Sequence, residues 1–555
     1  MLDKLSANQR LMLAVALSVI FFVGYTAIFP PVEPENRVID ARSIQTTSGE
    51  NQKTTNIKDV VGHEISQKEK YATDNQSVIL TVTNKDFILK VDTLGRISSK
   101  ELLQDKFKTK DNEHAQLVSV NGTKPLFVRF IDETLNNEAM QTAYTANVSE
   151  VHLDGVAKKV VLTQNLKNLT VIKELTFYDD GHYDAKVSLS QYKKYFIYLG
   201  QRPKVNESEQ MMTVAGAMIY TDDDIATIIE DGDAEGRKSF SGVELISAFD
   251  QYSATIMYNF SKDTNIIVER DRDDNPVVYF DALQTMLFSG YVGQKEYKVL
   301  KNIKPVLTNA IEYGWFTFAS RPLFQLLSWL HGFFGNWGWS IIAMTLLIRM
   351  VLYPLTYKGM MSMQKIKAIS PQIKEVQAKY KGDPQRMNKA VMDMYKKHNA
   401  NPLGGCLPMI LQIPIFFSIY RVLLNAVELQ GAPWIMWVTD LSRMDEYYVL
   451  PILMGASMFY QQKLTPTNFT DPIQEKVFKY LPVIFTFFFL TFPSGLVLYW
   501  FVNNIFSILQ QFVVNARFKN TQDVQIAHSK HAIKEEHKEE AKMKQLEKAK
   551  GKKND

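Results

Sequence analysis

The chain carries a single cysteine among 555 residues, Cys406. One thiol excludes an intramolecular disulfide and any centre built on paired cysteines. Beside the apolar run that starts near Leu407, it reads as a small buried apolar residue. HExxH, GxSxG and related spacings are also missing, so no catalytic centre, metal or cofactor is expected. Net charge is only +4, which removes any global electrostatic case for DNA. Two motifs begin and then fail. Gly232–Ser239 is one residue short of a phosphate loop and puts Arg237 before Lys238. Asp271–Asn275 resembles a calcium loop, but Pro276 stands where the turn glycine belongs. Both are expected to be hairpin turns.

Apolar sequence is abundant but unevenly spread. Mean hydropathy is slightly negative, yet residues 1–29 and 320–515 hold long apolar runs around a polar stretch at 30–319. Leu11–Phe29 follows Lys4 and Arg10 and matches the roughly 20 residues needed to cross about 30 Å of hydrocarbon. No small-x-small cleavage site precedes Pro30-Pro31, so it reads as an uncleaved anchor rather than a signal peptide. Five more spans are expected near 337–357, 407–425, 447–463, 480–492 and 495–513. Of these, Leu481–Phe492 is short, about 18 Å at helical rise, with Pro482 suited to a first turn and Pro493 as a stop. A mismatch of that size is expected to tilt neighbours or thin the bilayer; extending the helix back through Lys476–Tyr480 softens it.

Loop charge sets the orientation. Residues 358–400 carry ten Lys/Arg and the tail 515–555 carries eleven, whereas the loop 426–446 has only Arg443 among four acids. The 463–479 loop has three basic residues and the Phe492–Gly495 turn has none. All six spans then agree with cytoplasmic N- and C-termini and residues 30–336 outside.

Within the outer region, 30–76 is a polar, flexible linker. From 77 to 319 short alternating segments such as Val78–Val82, Phe87–Val91, Lys159–Leu162, Val171–Phe177, Asp184–Leu189, Ala254–Tyr258 and Val277–Phe280 predict a β-sandwich. An amphipathic helix rich in Leu, Phe and Trp is expected over 320–336, lying on the outer membrane interface.

The membrane block holds the chemistry. Arg349 is a lone cation inside an apolar span, with Thr345, Tyr353 and Thr356 at i−4, i+4 and i+7 on one stripe. Snorkelling to the inner headgroups is one reading; lining a wet cavity is the other. The last span carries Tyr499, Asn503, Ser507 and Gln510 at near-helical spacing, with Asn504 and Gln511 beside them, and Gln412 lies in the third span. Polar groups avoid lipid, so they face each other, as ordinary inter-helix hydrogen bonds, or water. No acidic residue within a span is placed to neutralise Arg349, which suits a partner arriving from outside. The basic loop 358–400 reads as two helices broken at Lys381–Pro384. Met360, Met361, Met363 and Ile366 form part of an apolar side that packs a seam or greets varied apolar partners.

Asn401–Pro414 (NPLGGCLPMILQIP), Tyr353-Pro-Leu-Thr356 and Phe492–Tyr499 (FPSGLVLY) resemble the YidC/Oxa/Alb family of membrane protein insertases over about 320–515. The whole layout is similar to that family's Gram-negative form. The resemblance implies an α-helical polytopic protein of the bacterial inner membrane. It would have six transmembrane helices, a five-helix insertase core (337–357 and 401–514) and a large periplasmic β-sandwich domain of supersandwich type. It implies a hydrophilic groove open to cytoplasm and lipid and closed outward. Arg349 stands at the groove arginine and Thr356, Gln412 and Tyr499 at groove-facing positions; Trp500 replaces a tyrosine common in relatives. Implied partners are nascent membrane proteins, the Sec translocon with SecDF, the ribosome and signal-recognition components, and membrane lipids. The basic tail reads equally as a solvated segment or an RNA contact.

Two rivals remain: a secondary transporter, for which no internal repeat or intramembrane carboxylate is visible, and a membrane-anchored periplasmic enzyme or carbohydrate-binding protein. Deleting residues 60–310 separates them. An insertase is expected to keep most of its substrate insertion, scored by protease protection in proteoliposomes, whereas an anchored periplasmic protein is expected to lose all function.

Overall fold

The computed structural model describes residues 77–519 apart from 110–111, 120–121, 206–212, 381, 399, 401 and 466–471. The expected anchor at Leu11–Phe29, the linker over 30–76 and the tail beyond residue 519 lie outside the described residues, as does the side chain of Cys406. The chain divides into two compact units: residues up to Gly314 with Leu424–Gly431, and Trp315–Leu423 with Ala432 onward.

The first unit is β-rich, as the alternation predicts. Its largest sheet has nine strands, flanked in sequence by strands of a five-stranded and a four-stranded sheet. Strict alternation drives it: Thr170–Phe177 alternates half-buried and buried positions throughout, and its Val171, Leu175 and Phe177 enter the core. That strand pairs antiparallel with Lys158–Asn165 on one side and His182–Leu189 on the other. Each named strand forms within three residues of its expected limits. Strands such as Gly216–Thr221 and Val243–Phe249 go beyond that reading; both faces of these strands are largely buried, so they lack alternation. Asp271–Asn275 is a hairpin turn, with Asp271 Oδ1 accepting from the backbone of Asp273 and Asn275. Gly232–Ser239 is not a hairpin. It links Ala226–Glu230 of the nine-stranded sheet to Lys238–Phe240 of the five-stranded one, so it is a crossover between sheets.

Four lysines are buried among the described residues of this unit, Lys100, Lys124, Lys173 and Lys295. Lys173 donates to the carbonyls of Gly95 (2.8 Å) and Leu126 (2.9 Å) and lies over the Tyr144 ring. Lys100 donates to Gly181 O and lies over Phe87. Burial lowers both to about 7.

The helices of both units are numbered together: α1 (Glu133–Gln141), α2 (Tyr297–Ile303), α3 (Thr317–Phe334), α4 (Trp337–Lys379), α5 (Pro384–Lys397), α6 (Pro402–Asn425), α7 (Val449–Leu464), α8 (Pro472–Phe489) and α9 (Ser494–Lys519). Among the described residues, α4 and α9 are long and apolar enough to cross a membrane. Three boundaries depart from expectation. The second span and the first cytoplasmic helix are one continuous α4 of 43 residues, about 65 Å long. Pro354 and Pro371 both lie within it, so neither proline terminates the helix. Helix α8 starts at Pro472 and has 18 residues, about 27 Å. Pro482 is therefore interior, not in a first turn, and the short-span case for bilayer thinning falls away. Helix α3 begins three residues before 320 and ends at Gly335, whose φ of 61° supplies the left-handed cap.

The break between α4 and α5 falls as expected, with Asp383 Oδ1 capping Arg386 N and Pro384 in the first turn. Ile366, Ile369, Ile373 and Ala400 form its seam, with Met363, Val391, Met394 and Tyr395 against them.

The buried lysines make the β-rich unit pH-sensitive. An unfolded lysine keeps its proton up to about 10.4, while folded Lys100 and Lys173 release it near 7 and Lys295 near 8. The unfolded state thus binds more protons between these values, and stability rises with pH from about 7 upward. Hydrogen exchange in Thr170–Phe177, corrected for intrinsic rate, is expected to become more protected from pH 7 to pH 9. Lys173→Met is expected to flatten that slope.

Candidate functional site

Helices α4 and α9 face each other through their polar stripes. Arg349 is 5% exposed, although it sits in an apolar helix. Its Nε donates to Asn503 Oδ1 at 2.7 Å and its Nη2 to Ser507 Oγ at 2.9 Å. Asn503 and Ser507 are one turn apart on α9, so a single face meets the guanidinium plane. Tyr499, one turn before Asn503, is buried and within electrostatic reach of Arg349. Among the described residues no carboxylate pairs with Arg349. The cation is held by neutral oxygens.

Beside it opens a cavity of about 290 Å³ lined by Arg349, Met350, Tyr353, Phe506, Leu509, Gln510 and Val513. The wall is mainly apolar, with polar atoms where Arg349, Tyr353 and Gln510 enter. Gln510 is 6% exposed and its Oε1 has no hydrogen-bond partner.

The other expected groove residues divide. Thr345 and Thr356 are buried on the Arg349 stripe, but their hydroxyls donate back to their own helix, at Ile341 O for Thr345 and at Leu352 O and Tyr353 O for Thr356. Tyr353 lines the cavity. Gln412 is half-buried on α6 and no hydrogen bond joins it to the Arg349 cluster. Trp500 points elsewhere: its ring centroid lies 4.7 Å from Phe416, 5.1 Å from Phe489 and 6.3 Å from Phe485. It sits in an aromatic cluster of α6, α8 and α9, not in the polar site. Of the hairpin residues, Met363 and Ile366 fill the seam, while Met360 and Met361 are half-buried outside it.

The remaining amides are ordinary packing. Asn504 Nδ2 donates to Ser457 Oγ at 3.1 Å and Gln511 Nε2 to Asn515 Oδ1 at 2.7 Å. Helix α8 lies close against α7 because Gly455 leaves room for Thr486; a Cβ there would overlap its hydroxyl. At one end the bundle is closed by residues 432–446. Asn336 caps α4 through Trp339 N and donates to Pro433 O, while Gly338 leaves space for the Trp434 ring. Asp445 caps α7 at Leu450 N, and the backbone of Ser494 and Gly495 bonds to Arg443 O and Leu441 O.

A buried arginine clasped by polar side chains between long apolar helices, joined in one chain to a β-rich unit, is the pattern of an integral membrane protein. A family model described as 60Kd inner membrane protein matches residues 329–522, and one described as YidC periplasmic domain matches 79–326. The chain is 46% identical over 520 residues to the membrane protein insertase YidC of Campylobacter jejuni, covering 93% of this chain and 97% of that one. It is 41% identical to that of Helicobacter pylori strain 26695, covering 94% and 98%. Among solved structures it aligns with an active YidC insertase at 19% identity and a TM-score of 0.34, covering 80% of this chain and 95% of that one. The chain belongs to the YidC family of membrane protein insertases.

The polar clasp on Arg349 is testable by a double-mutant cycle. Asn503→Leu strands part of a buried guanidinium and is expected to lower stability in detergent by about 1–3 kcal/mol. In an Arg349→Leu background the same change is expected to cost much less, because the group it served is gone.

Proposed function

We infer that this protein inserts other membrane proteins into the inner membrane and assists their folding there, alone or with the Sec translocon. The observation that carries the reading is Arg349: a buried cation held by Asn503 and Ser507 at the edge of a cavity, with no carboxylate partner among the described residues. A hydrophilic stretch of a nascent chain entering there exchanges lost hydration for fixed donors. Acidic residues in it are drawn to Arg349 in a medium of reduced dielectric. The apolar segment that follows leaves toward lipid, driven by burial of its surface. The step needs no nucleotide or cofactor.

Six transmembrane helices fit this role: the anchor at 1–29, the first half of α4, α6, α7, α8 and α9. The loop charges support cytoplasmic termini, a cytoplasmic α4–α5 hairpin and a periplasmic β-rich unit, with residues 432–446 closing the groove outward. On that orientation the closing loop stops the groove from becoming a pore. Nascent membrane proteins are the substrates. SecDF, the ribosome and signal-recognition components suit the hairpin and basic tail as partners, and lipids suit the exposed Phe318, Trp329 and Phe333 of α3.

Arg349→Ala in proteoliposomes is expected to slow insertion of single-span substrates with acidic translocated tails about tenfold or more, and neutral-tailed ones much less. Wild-type rates for every acidic-tailed substrate would sink the groove-charge mechanism.

A further inference from the structure

The cavity beside Arg349 holds a second polar group that charge attraction does not use. Gln510 lies on α9 one turn beyond Ser507, so it continues the face that clasps the guanidinium. It is more than nine-tenths buried, lines the cavity, and its Oε1 has no partner. Among groups of this kind an orphaned acceptor is costly, and its neighbours show how such a cost is normally removed. Asn504 and Gln511 flank the same stripe and both amides are engaged by protein groups. Gln510 alone of these three amides has an orphaned atom.

Arg349 presents the complementary half. Its Nε and Nη2 are committed to Asn503 and Ser507, and Nη1 has no protein partner among the described residues. A fixed donor from α4 and an unpartnered acceptor from α9, the latter shielded just behind the wall, therefore border a cavity lined by Met350, Phe506, Leu509 and Val513. A carboxylate satisfies the donor and leaves the acceptor worse off, since it brings no hydrogen and adds repulsion. A water molecule satisfies both, but gains nothing from the apolar wall. One group carries an acceptor and a donor on a single plane beside an apolar side chain: the peptide unit itself.

We propose that Gln510 is a substrate-positioning residue, and that with Arg349 it takes up an unpaired peptide group of an extended substrate segment, whose apolar side chain fills the cavity. This rests on the insertase reading and specifies what the groove recognises. A segment that has not yet become helical exposes peptide groups that hydrocarbon cannot solvate. Arg349 donates to the peptide carbonyl, and Gln510 accepts from a peptide N–H. Once the segment forms its own helical hydrogen bonds it no longer needs either, and it is released without any chemical step. Recognition through the backbone is blind to side-chain charge, unlike the attraction of acidic tails to Arg349.

The test uses the full chain in proteoliposomes and two single-span substrates, one with an acidic and one with a neutral translocated tail. Gln510→Leu keeps the volume and removes the amide; Gln510→Met serves as a second variant should the first fold poorly. Either is expected to slow both substrates by a similar factor, about tenfold for one lost hydrogen bond. A substrate series in which single backbone amides are replaced by esters adds a second readout. Some ester positions, which lack the N–H, are expected to slow insertion by the wild-type chain and to have no further effect on Gln510→Leu. Equal rates for wild type and both variants, a loss confined to acidic tails, or ester effects unchanged by the substitution would overturn the proposal. A wild-type chain that inserted neither substrate would overturn the insertase reading beneath it.

Discussion

A guanidinium sunk between apolar helices must be satisfied on the spot, and the helix bundle is arranged around that requirement. An unpaired polar group in hydrocarbon costs several kcal/mol, so the position of Arg349 on α4 dictates what α9 shows it. Asn503 and Ser507 fulfil that demand from one face of α9. Their placement turns Asn504 toward α7, where it meets Ser457 and the Met454 carbonyl. Helix α7 in turn admits α8 closely through Gly455. Rotation of α4, α7 and α9 about their axes thus follows from polar contacts, because lipid tails give no preference among apolar faces.

The same requirement explains the two ends. Where backbone groups lose their helical partners, replacements are supplied locally: Asn336 caps α4, and from residues 432–446 Asp445 caps α7 while the Arg443 and Leu441 carbonyls receive the start of α9. At the other end α4 runs on unbroken through Lys358 into the hairpin. The groove arginine and the seam residue Ile366 therefore share one helix. On the proposed orientation residues 432–446 lie at the outer end of the bundle and the α4–α5 hairpin at its inner end, which is the asymmetry the proposed insertion needs.

Much of this was legible in the sequence, and the misses have causes. Half-buried strands such as Thr170–Phe177 betray themselves by alternation, whereas Gly216–Thr221, buried nearly throughout, does not. Arg349 stood out because a charge in an apolar run has few explanations, and helical spacing was enough to align Tyr499, Asn503 and Ser507 opposite it. Spacing gave no sign that Thr345 and Thr356 bond to their own helix, a local choice of rotamer. Trp500 followed its neighbour Tyr499 in the expected groove, yet adjacent helical residues are about 100° apart and it joins Phe416 and Phe489 instead. The α4 boundary was misplaced because loop charge marks where a helix leaves the membrane, not where it ends. Gln510 belonged to the visible stripe, but only its missing partner distinguished it from Gln511.

The central claim is a hydrated groove at Arg349 that opens to one side of the membrane, and the chain's single cysteine makes it directly measurable. With Cys406 replaced by serine, Tyr353→Cys places one thiol in the cavity wall. A membrane-impermeant maleimide is expected to label it in inverted inner-membrane vesicles and to leave it unlabelled in right-side-out vesicles. Labelling from the outer face, or none from either side in a protein that still inserts substrate, would contradict the account.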